Sequence, residues 1–120
     1  MNVIDEVWKD KYLKKYKSFE HFVLSGLETA INENAQHFIP QFLFVTNSAG
    51  LIIIDHIGKL ETLSETLAFL KSHDIDISLE HKNVSNVNPI DVDNIYTPEM
   101  KTKVNELYAR DFEYFEYMML

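Results

Sequence analysis

The sequence predicts an α/β fold that is rich in helix, with about four helices and two or three short strands. Apolar residues recur with the helical period in four stretches, at about residues 3–17, 19–33, 63–73 and 98–117. Two short apolar runs, Phe42–Val45 and Leu51–Ile54, are separated by Asn47–Gly50, whose composition is typical of a turn. Short aliphatic runs beside turn residues favour strands, so both element types are expected.

The first two predicted helices have clear signals at their ends. In the stretch 3–17, three lysines, Lys14, Lys15 and Lys17, gather near the end, where cations suit the helix dipole. We interpret them as a solvated face, with an anion patch as the alternative. Ser18 is a predicted N-cap for the second helix, and Gly26 inside that helix permits close packing at some cost in stability.

The central part of the chain carries the predicted strands. Pro40 forces the residue before it out of the helical region, so the segment leading into Phe42–Val45 is expected to be extended or turning. Residues 51–57 form the best strand candidate, because four consecutive aliphatic residues suggest burial on both faces, as in a parallel or central strand. A hairpin between the two runs is an alternative arrangement, and residues 75–80 are a further extended candidate.

The two later helices are predicted from their caps. Thr62 and Glu65 have the spacing of a capping box, and the helix that follows is expected to stop near His73. Thr97 is placed to cap the final helix, with Pro98 at its first position, where the missing N–H costs nothing.

Composition and charge exclude several classes of function. A chain of 120 residues is at most one domain, so we expect a single domain over residues 1–120. The net charge of −8 argues against binding to nucleic acid or to an anionic membrane. The chain has no cysteine, which excludes disulfides and thiolate metal sites. Its histidines lack ligand spacing, and the acidic cluster at 91–94 lacks the glycine of a calcium loop, so no metal is predicted.

The N-terminus does not have the basic and then apolar order of a signal peptide. No apolar run approaches the length that spans a membrane. The expectation from these two observations is a cytoplasmic protein without a membrane segment.

Several blocks of sequence, in order along the chain, resemble a known family. They are Phe19-Glu20-x-Phe22-Val23, His37-Phe38-x-Pro40-Gln41, Asp55-x-Ile57-Gly58-Lys59-x-Glu61-x-Leu63, and a loop His81-Lys82-Asn83-Val84-Ser85 followed by Tyr96-Thr97-Pro98-Glu99 and a helix ending Asp111-Phe112-x-x-Phe115-x-Tyr117. Together they resemble the C-terminal end of carbohydrate-type sulfotransferases of the Sulfotransferase family 2 group. The chain departs from the family pattern at Leu60, where an aromatic residue is usual, and at Glu116, where a glycine is common.

The resemblance implies a P-loop-like α/β fold of which this chain is the helix-rich C-terminal part. It also implies an enzyme that moves a sulfo group from 3′-phosphoadenosine 5′-phosphosulfate (PAPS) to a hydroxyl, often on a carbohydrate. The glycine loop that holds the phosphosulfate in this family has no counterpart here. The three glycines, Gly26, Gly50 and Gly58, lack phosphate-loop spacing, and Arg110 is the only arginine. We therefore expect a partial domain without its donor loop.

Candidate site residues also follow from the resemblance. In the family that the chain resembles, a C-terminal loop closes over the nucleotide, so the resemblance implies that the PAPS-binding residues are His81, Lys82, Asn83 and Ser85. The alternative is that Asn83 and Ser85 only make the hydrogen bonds of a turn. His37 is the predicted catalytic base and Gln41 the predicted acceptor-binding residue, with a structural histidine as the alternative. Asp55, Lys59 and Glu61 are interpreted as structural.

Two hypotheses of function remain. The first is the C-terminal half of a sulfotransferase, which is expected to act on a hydroxyl-bearing carbohydrate acceptor and to need the missing N-terminal half. The second is a non-catalytic interaction module derived from a sulfotransferase. It would be a homo-oligomer, because the strand at 51–57 would otherwise leave an open edge.

Overall fold

The computed structural model describes residues 3–79 and 91–120, and this part of the chain is mostly helical. The α-helices are α1 (Val3–Trp8), α2 (Phe19–Ser25), α3 (Leu27–Asn32), α4 (Leu63–Ser72), α5 (Val92–Ile95), α6 (Pro98–Leu107) and α7 (Ala109–Phe115). A π-helix, Lys9–Leu13, extends α1, and two 3₁₀ turns lie at Gln41–Phe44 and Leu60–Thr62. Helices α2 and α3 are separated only at Gly26, and α6 and α7 only at Tyr108.

The predicted caps of α2 and α6 are confirmed. The Ser18 hydroxyl accepts a hydrogen bond from the His21 N–H at 3.0 Å, and the Thr97 hydroxyl accepts one from the Met100 N–H at 3.3 Å. At α4, Thr62 is the N-cap residue, but its side chain makes no capping hydrogen bond. That helix ends with His73 as its C-cap, as predicted.

The core lies where α2 and α3 meet α6. Phe22, Val23 and Leu27 pack with Met100, whose side chain is the largest among the fully buried ones in the described part of the chain. A second cluster joins Tyr12 to two alanines, Ala30 and Ala35, and so attaches the N-terminal helix. The expected close packing at Gly26 is observed, because a methyl group there would overlap the Tyr16 ring.

The predicted strand at Phe42–Val45 is wrong: residues 41–44 form a 3₁₀ turn. The Asp111 carboxylate accepts hydrogen bonds from the backbone N–H groups of Gln41 and Phe42, at 2.8 Å each. Those two donors, and the Pro40 φ of −54°, start a helical turn instead of a ladder.

The strand predicted at 51–57 is also not formed in the described part of the chain. One isolated antiparallel bridge joins Thr46 to Ile52, and Leu51 is 64% exposed where burial on both faces was expected. The turn between the two runs is confirmed, with Asn47 Oδ1 accepting from the N–H groups of Ala49 and Leu51. No strand occurs in residues 3–79 or 91–120, so the α/β expectation reduces there to a mostly helical fold.

Candidate functional site

A cleft of about 480 Å³ opens beside the end of α7. One wall is the 3₁₀ turn at 41–44 with Val45, a second is the segment 57–61, and the third is the end of α7 with Tyr117. The polar, charged and large apolar side chains that line the cleft include Gln41, Phe44, Lys59, Leu60, Glu61 and Tyr117.

The 41–44 wall is fixed to α7 by the two hydrogen bonds to Asp111. The Phe42 ring stacks on the Tyr114 ring of α7, with the two ring centroids 5.6 Å apart. The Arg110 guanidinium also lies over the Phe42 ring, 5.3 Å from its centroid. The Tyr114 hydroxyl also donates to the Gly50 carbonyl. The turn is thus held by α7 through polar and aromatic contacts at once, which gives Gln41 a defined position at the cleft.

Tyr117 organises the opposite wall. Its hydroxyl donates to Glu61 Oε2 at 2.8 Å, and Lys59 Nζ lies 4.9 Å from its ring centroid. The backbone N–H of Glu61 and then the Tyr117 hydroxyl lower the pKa of the Glu61 carboxyl, so it is ionised at neutral pH. The same bond raises the pKa of Tyr117. Lys59 and Glu61 do not form an ion pair with each other; both contact Tyr117.

Tyr117 reaches Glu61 because α7 ends with a left-handed residue. Glu116 has φ 55° and ψ 42°, and the Tyr117 N–H donates back to the Phe112 carbonyl at 3.1 Å. This is the geometry of a Schellman cap, where glycine is usual. A smaller cavity of about 230 Å³ shares Gln41, Phe115 and Tyr117 with the cleft, so the two hollows adjoin.

Tyr108, at the junction of α6 and α7, holds the segment that leads into the cleft. Its hydroxyl donates to the Phe38 carbonyl at 2.8 Å. Burial, with a contribution from the Asp111 charge, raises the pKa of Tyr108 to about 12. The segment containing His37 and Gln41 is therefore attached to the last two helices at both of its ends.

The structure separates the predicted site residues. Gln41 lines the cleft, whereas His37 is exposed and is absent from the lining. The His37 ring lies edge-on to the Trp8 ring, with the two ring centroids 6.1 Å apart. His81, Lys82, Asn83 and Ser85 lie outside the described residues. The sequence assigns no role to Tyr117 or Asp111. The helical period of α7 does not indicate that Tyr117 contacts Glu61 or that Asp111 binds the 41–44 turn.

A model of the Sulfotransferase family matches residues 4–118. The chain belongs to the sulfotransferase family. No curated protein and no solved structure gives a significant match to it. In residues 3–79 and 91–120 there is no helix long and apolar enough to cross a membrane, and no group of three side chains suited to a metal ion.

Sulfotransferases in general take PAPS as the donor, which would require a cradle for phosphate and sulfo groups. The described residues do not supply one. Gly26 packs against Tyr16, Gly50 forms a turn with φ 77°, and Gly58 lies so close to Thr66 that a methyl group would overlap its hydroxyl. Arg110 is engaged with Phe42. None of these groups presents a row of N–H donors to a phosphate.

Proposed function

We propose that this sulfotransferase chain is the C-terminal, acceptor-binding part of an enzyme that transfers a sulfo group from PAPS to a hydroxyl, with a carbohydrate as the acceptor. The observation that supports it most is the family match over residues 4–118, combined with a cleft lined by groups that bind hydroxyls. Transfer forms a bond from the acceptor oxygen to sulfur, breaks the bond from sulfur to the phosphate oxygen, and releases the hydroxyl proton.

The cleft chemistry suits such an acceptor. An ionised Glu61 accepts hydrogen bonds from hydroxyls, the Gln41 amide both donates and accepts, and Lys59 donates. The Tyr117 ring offers an apolar face of the kind that packs on the face of a sugar ring. We assign acceptor binding to Gln41 and these three neighbours.

The proton-accepting role stays with His37 in this proposal, with Glu61 as the alternative. His37 lies outside the cleft lining, so the acceptor would have to extend past the 37–41 segment to reach it. Replacing each group in turn, as His37→Asn and Glu61→Gln, separates the two roles. The variant that lowers kcat with little change in KM identifies the group that acts in the transition state.

We assign the PAPS side to the loop with His81, Lys82, Asn83 and Ser85, acting together with a phosphosulfate loop that is not among residues 1–120. The first experiment is a calorimetric titration of the purified chain with 3′-phosphoadenosine 5′-phosphate. Saturable binding should be weakened by Lys82→Ala and Asn83→Ala. The matched controls, Lys71→Ala and Asn32→Ala, replace exposed residues outside this loop and should leave binding unchanged.

The second experiment tests transfer itself. The chain is mixed with polypeptides that carry a phosphosulfate loop, and ³⁵S from labelled PAPS is followed into an oligosaccharide acceptor. Activity should need both polypeptides. If no pairing restores transfer and the folded chain does not bind the nucleotide, the sulfotransferase proposal fails.

The alternative function is a non-catalytic, oligomeric interaction module derived from a sulfotransferase. It is favoured by the missing glycine loop and by the exposed aliphatic residues at 51–54. This alternative predicts a stable homo-oligomer in sedimentation velocity experiments, and a well-folded monomer would argue against it.

A further inference from the structure

The smaller cavity of about 230 Å³ beside the cleft, here called the α6–α7 hollow, differs from the cleft in its chemistry. Gln41, Phe115 and Tyr117 line both spaces, so one bound molecule can occupy the two together. The charged residues of the cleft, Lys59 and Glu61, do not line the hollow. A ligand that fills both spaces therefore meets charges at one end only.

The wall of the α6–α7 hollow is mostly apolar. Val104, Phe112 and Phe115 contribute aliphatic and aromatic groups, and the rings of Tyr108 and Tyr117 add to them. Val104, Phe112 and Phe115 are half-buried, so part of their apolar surface still faces water. Covering that surface with an apolar group of a ligand would be favourable.

Most polar atoms of the hollow's wall already have partners within the chain. The Tyr108 hydroxyl donates to a backbone carbonyl, and the Tyr117 hydroxyl donates to Glu61. Both carboxylate oxygens of Asp111 accept hydrogen bonds from backbone N–H groups of the 41–44 turn. A sugar ring in the hollow would lose hydrogen bonds to water without replacing them, whereas an alkyl chain has none to lose.

We propose that the α6–α7 hollow binds an alkyl group attached to the sugar of the acceptor, which makes the acceptor an alkyl glycoside. The carbohydrate part of this inference rests on the proposed function. Gln41, Lys59 and Glu61 hold the sugar in the cleft, and the alkyl group lies against Val104 and Phe112. Small-molecule sites commonly combine a mostly apolar lining with a few polar groups that fix the orientation of the ligand.

The test is a calorimetric titration of the purified full chain with two series of ligands. They are n-alkyl β-D-glucopyranosides and n-alkyl β-D-galactopyranosides, from methyl to octyl, each kept below its critical micelle concentration. The methyl glycosides report the sugar contacts alone. Each further methylene group that is buried should lower the Kd roughly fourfold, until the hollow is full.

Val104→Thr keeps a β-branched side chain and adds a hydroxyl to the wall of the hollow. It should weaken binding of the octyl glycoside roughly tenfold and leave binding of the methyl glycoside unchanged. The matched control is Val92→Thr, the same substitution at an exposed residue that lines neither space. Ile53→Thr is a second control, because Ile53 is 63% exposed in an apolar run that an alkyl chain can also cover. Neither control should change the Kd.

Circular dichroism checks the fold of each variant, because Val104 also packs against the core. The two ligand series on the unaltered chain need no variant. A Kd that does not depend on alkyl length would overturn the proposal, and so would the absence of binding by both octyl glycosides. A length dependence that persists in Val104→Thr, or that disappears in Ile53→Thr, would place the alkyl group elsewhere and overturn it as well.

The outcomes also separate this site from the proposed function. Length-dependent binding that Val104→Thr abolishes, without transfer of ³⁵S from PAPS to any glycoside in the presence of a phosphosulfate-loop polypeptide, would uphold the hollow and reject the enzyme. Transfer to methyl and octyl glycosides with equal KM values would uphold the enzyme and reject the hollow.

Discussion

Asp111 provides the sharpest test of how the cleft is built. Its two carboxylate oxygens accept hydrogen bonds from the N–H groups of Gln41 and Phe42, which are 70 and 69 residues away in sequence. Replacing it with alanine leaves both donors without that partner and frees the 41–44 turn from α7. The same turn carries Gln41 into the cleft, so the variant tests stability and site geometry together.

The size of the expected loss in the free energy of unfolding follows from the burial of the two N–H donors. Hydrogen bonds to a charged group contribute about 1.5–3 kcal/mol each, and the lower end applies where water can replace the lost partner. Gln41 is exposed and Phe42 is half-buried, so Asp111→Ala should lower the free energy of unfolding by about 2–4 kcal/mol. Asp111→Asn keeps one acceptor oxygen and turns an NH₂ group toward the other donor, so it should cost about 1–2 kcal/mol.

Urea denaturation followed by circular dichroism measures these differences, and the thermal midpoint should fall by about 10 °C for the alanine variant. Glu113→Ala is the matched control, because Glu113 is an exposed carboxylate on the same helix. Its replacement should stay within about 0.5 kcal/mol of the wild-type chain. A destabilisation by Asp111→Ala no larger than that of Glu113→Ala would refute the argument that this carboxylate holds the turn.

Three further results are expected. Tyr108→Phe removes the hydrogen bond to the Phe38 carbonyl and should cost about 1 kcal/mol. Because burial raises the pKa of Tyr108 to about 12, the stability of the wild-type chain should fall between pH 10 and 12, and its titration at 295 nm should contain a late-titrating tyrosine that the variant lacks. Gly58→Ala should cost about 1–3 kcal/mol in urea denaturation, and Thr66→Ala in the same chain should restore part of it, because Thr66 is what the new methyl group would meet; additive costs would contradict this. Glu116→Gly should raise the free energy of unfolding by up to about 1 kcal/mol, because it relieves a left-handed residue at φ 55°, and a lower thermal midpoint would contradict that reason.

The helices could be predicted from the sequence because their signals are local. Ser18 and Thr97 each cap an N–H three residues ahead, and Pro98 occupies the first position of α6 as expected. Departures from the predicted helices also have local causes. Gly26 interrupts the second helix where the Tyr16 ring approaches, and Tyr108, with ψ 20°, separates α6 from α7.

The strands could not be predicted correctly, because their formation depends on partners distant in sequence. Phe42–Val45 has strand composition, yet Asp111 supplies two acceptors that start a 3₁₀ turn. Leu51–Ile54 has the composition of a buried strand, but the described residues provide only Thr46 as a bridge partner, at Ile52, and the chain bends at Ile54. Apolar composition reports which environment a segment suits, and it does not supply the neighbouring strands.

The cleft depends on contacts that no spacing rule anticipates. Tyr117 and Glu61 are 56 residues apart, and they meet because Glu116 turns the chain after α7 into a left-handed conformation. The family pattern contained a clue, since a glycine is common where Glu116 stands, and glycine is the residue that adopts this conformation without strain. Lys59 and Glu61 were interpreted as structural from sequence, but both line the cleft and both contact Tyr117.

The 41–44 wall of the cleft is held from two sides. The Asp111 carboxylate accepts from the N–H groups of Gln41 and Phe42 on the side of α7, and the Val45 carbonyl accepts from the Ile53 N–H on the opposite side. Gln41 owes its position at the cleft to the first set of bonds, although Asp111 itself does not line that cleft. Asp111→Ala should therefore weaken binding of the proposed acceptor as well as lower the stability, whereas Glu113→Ala should change neither.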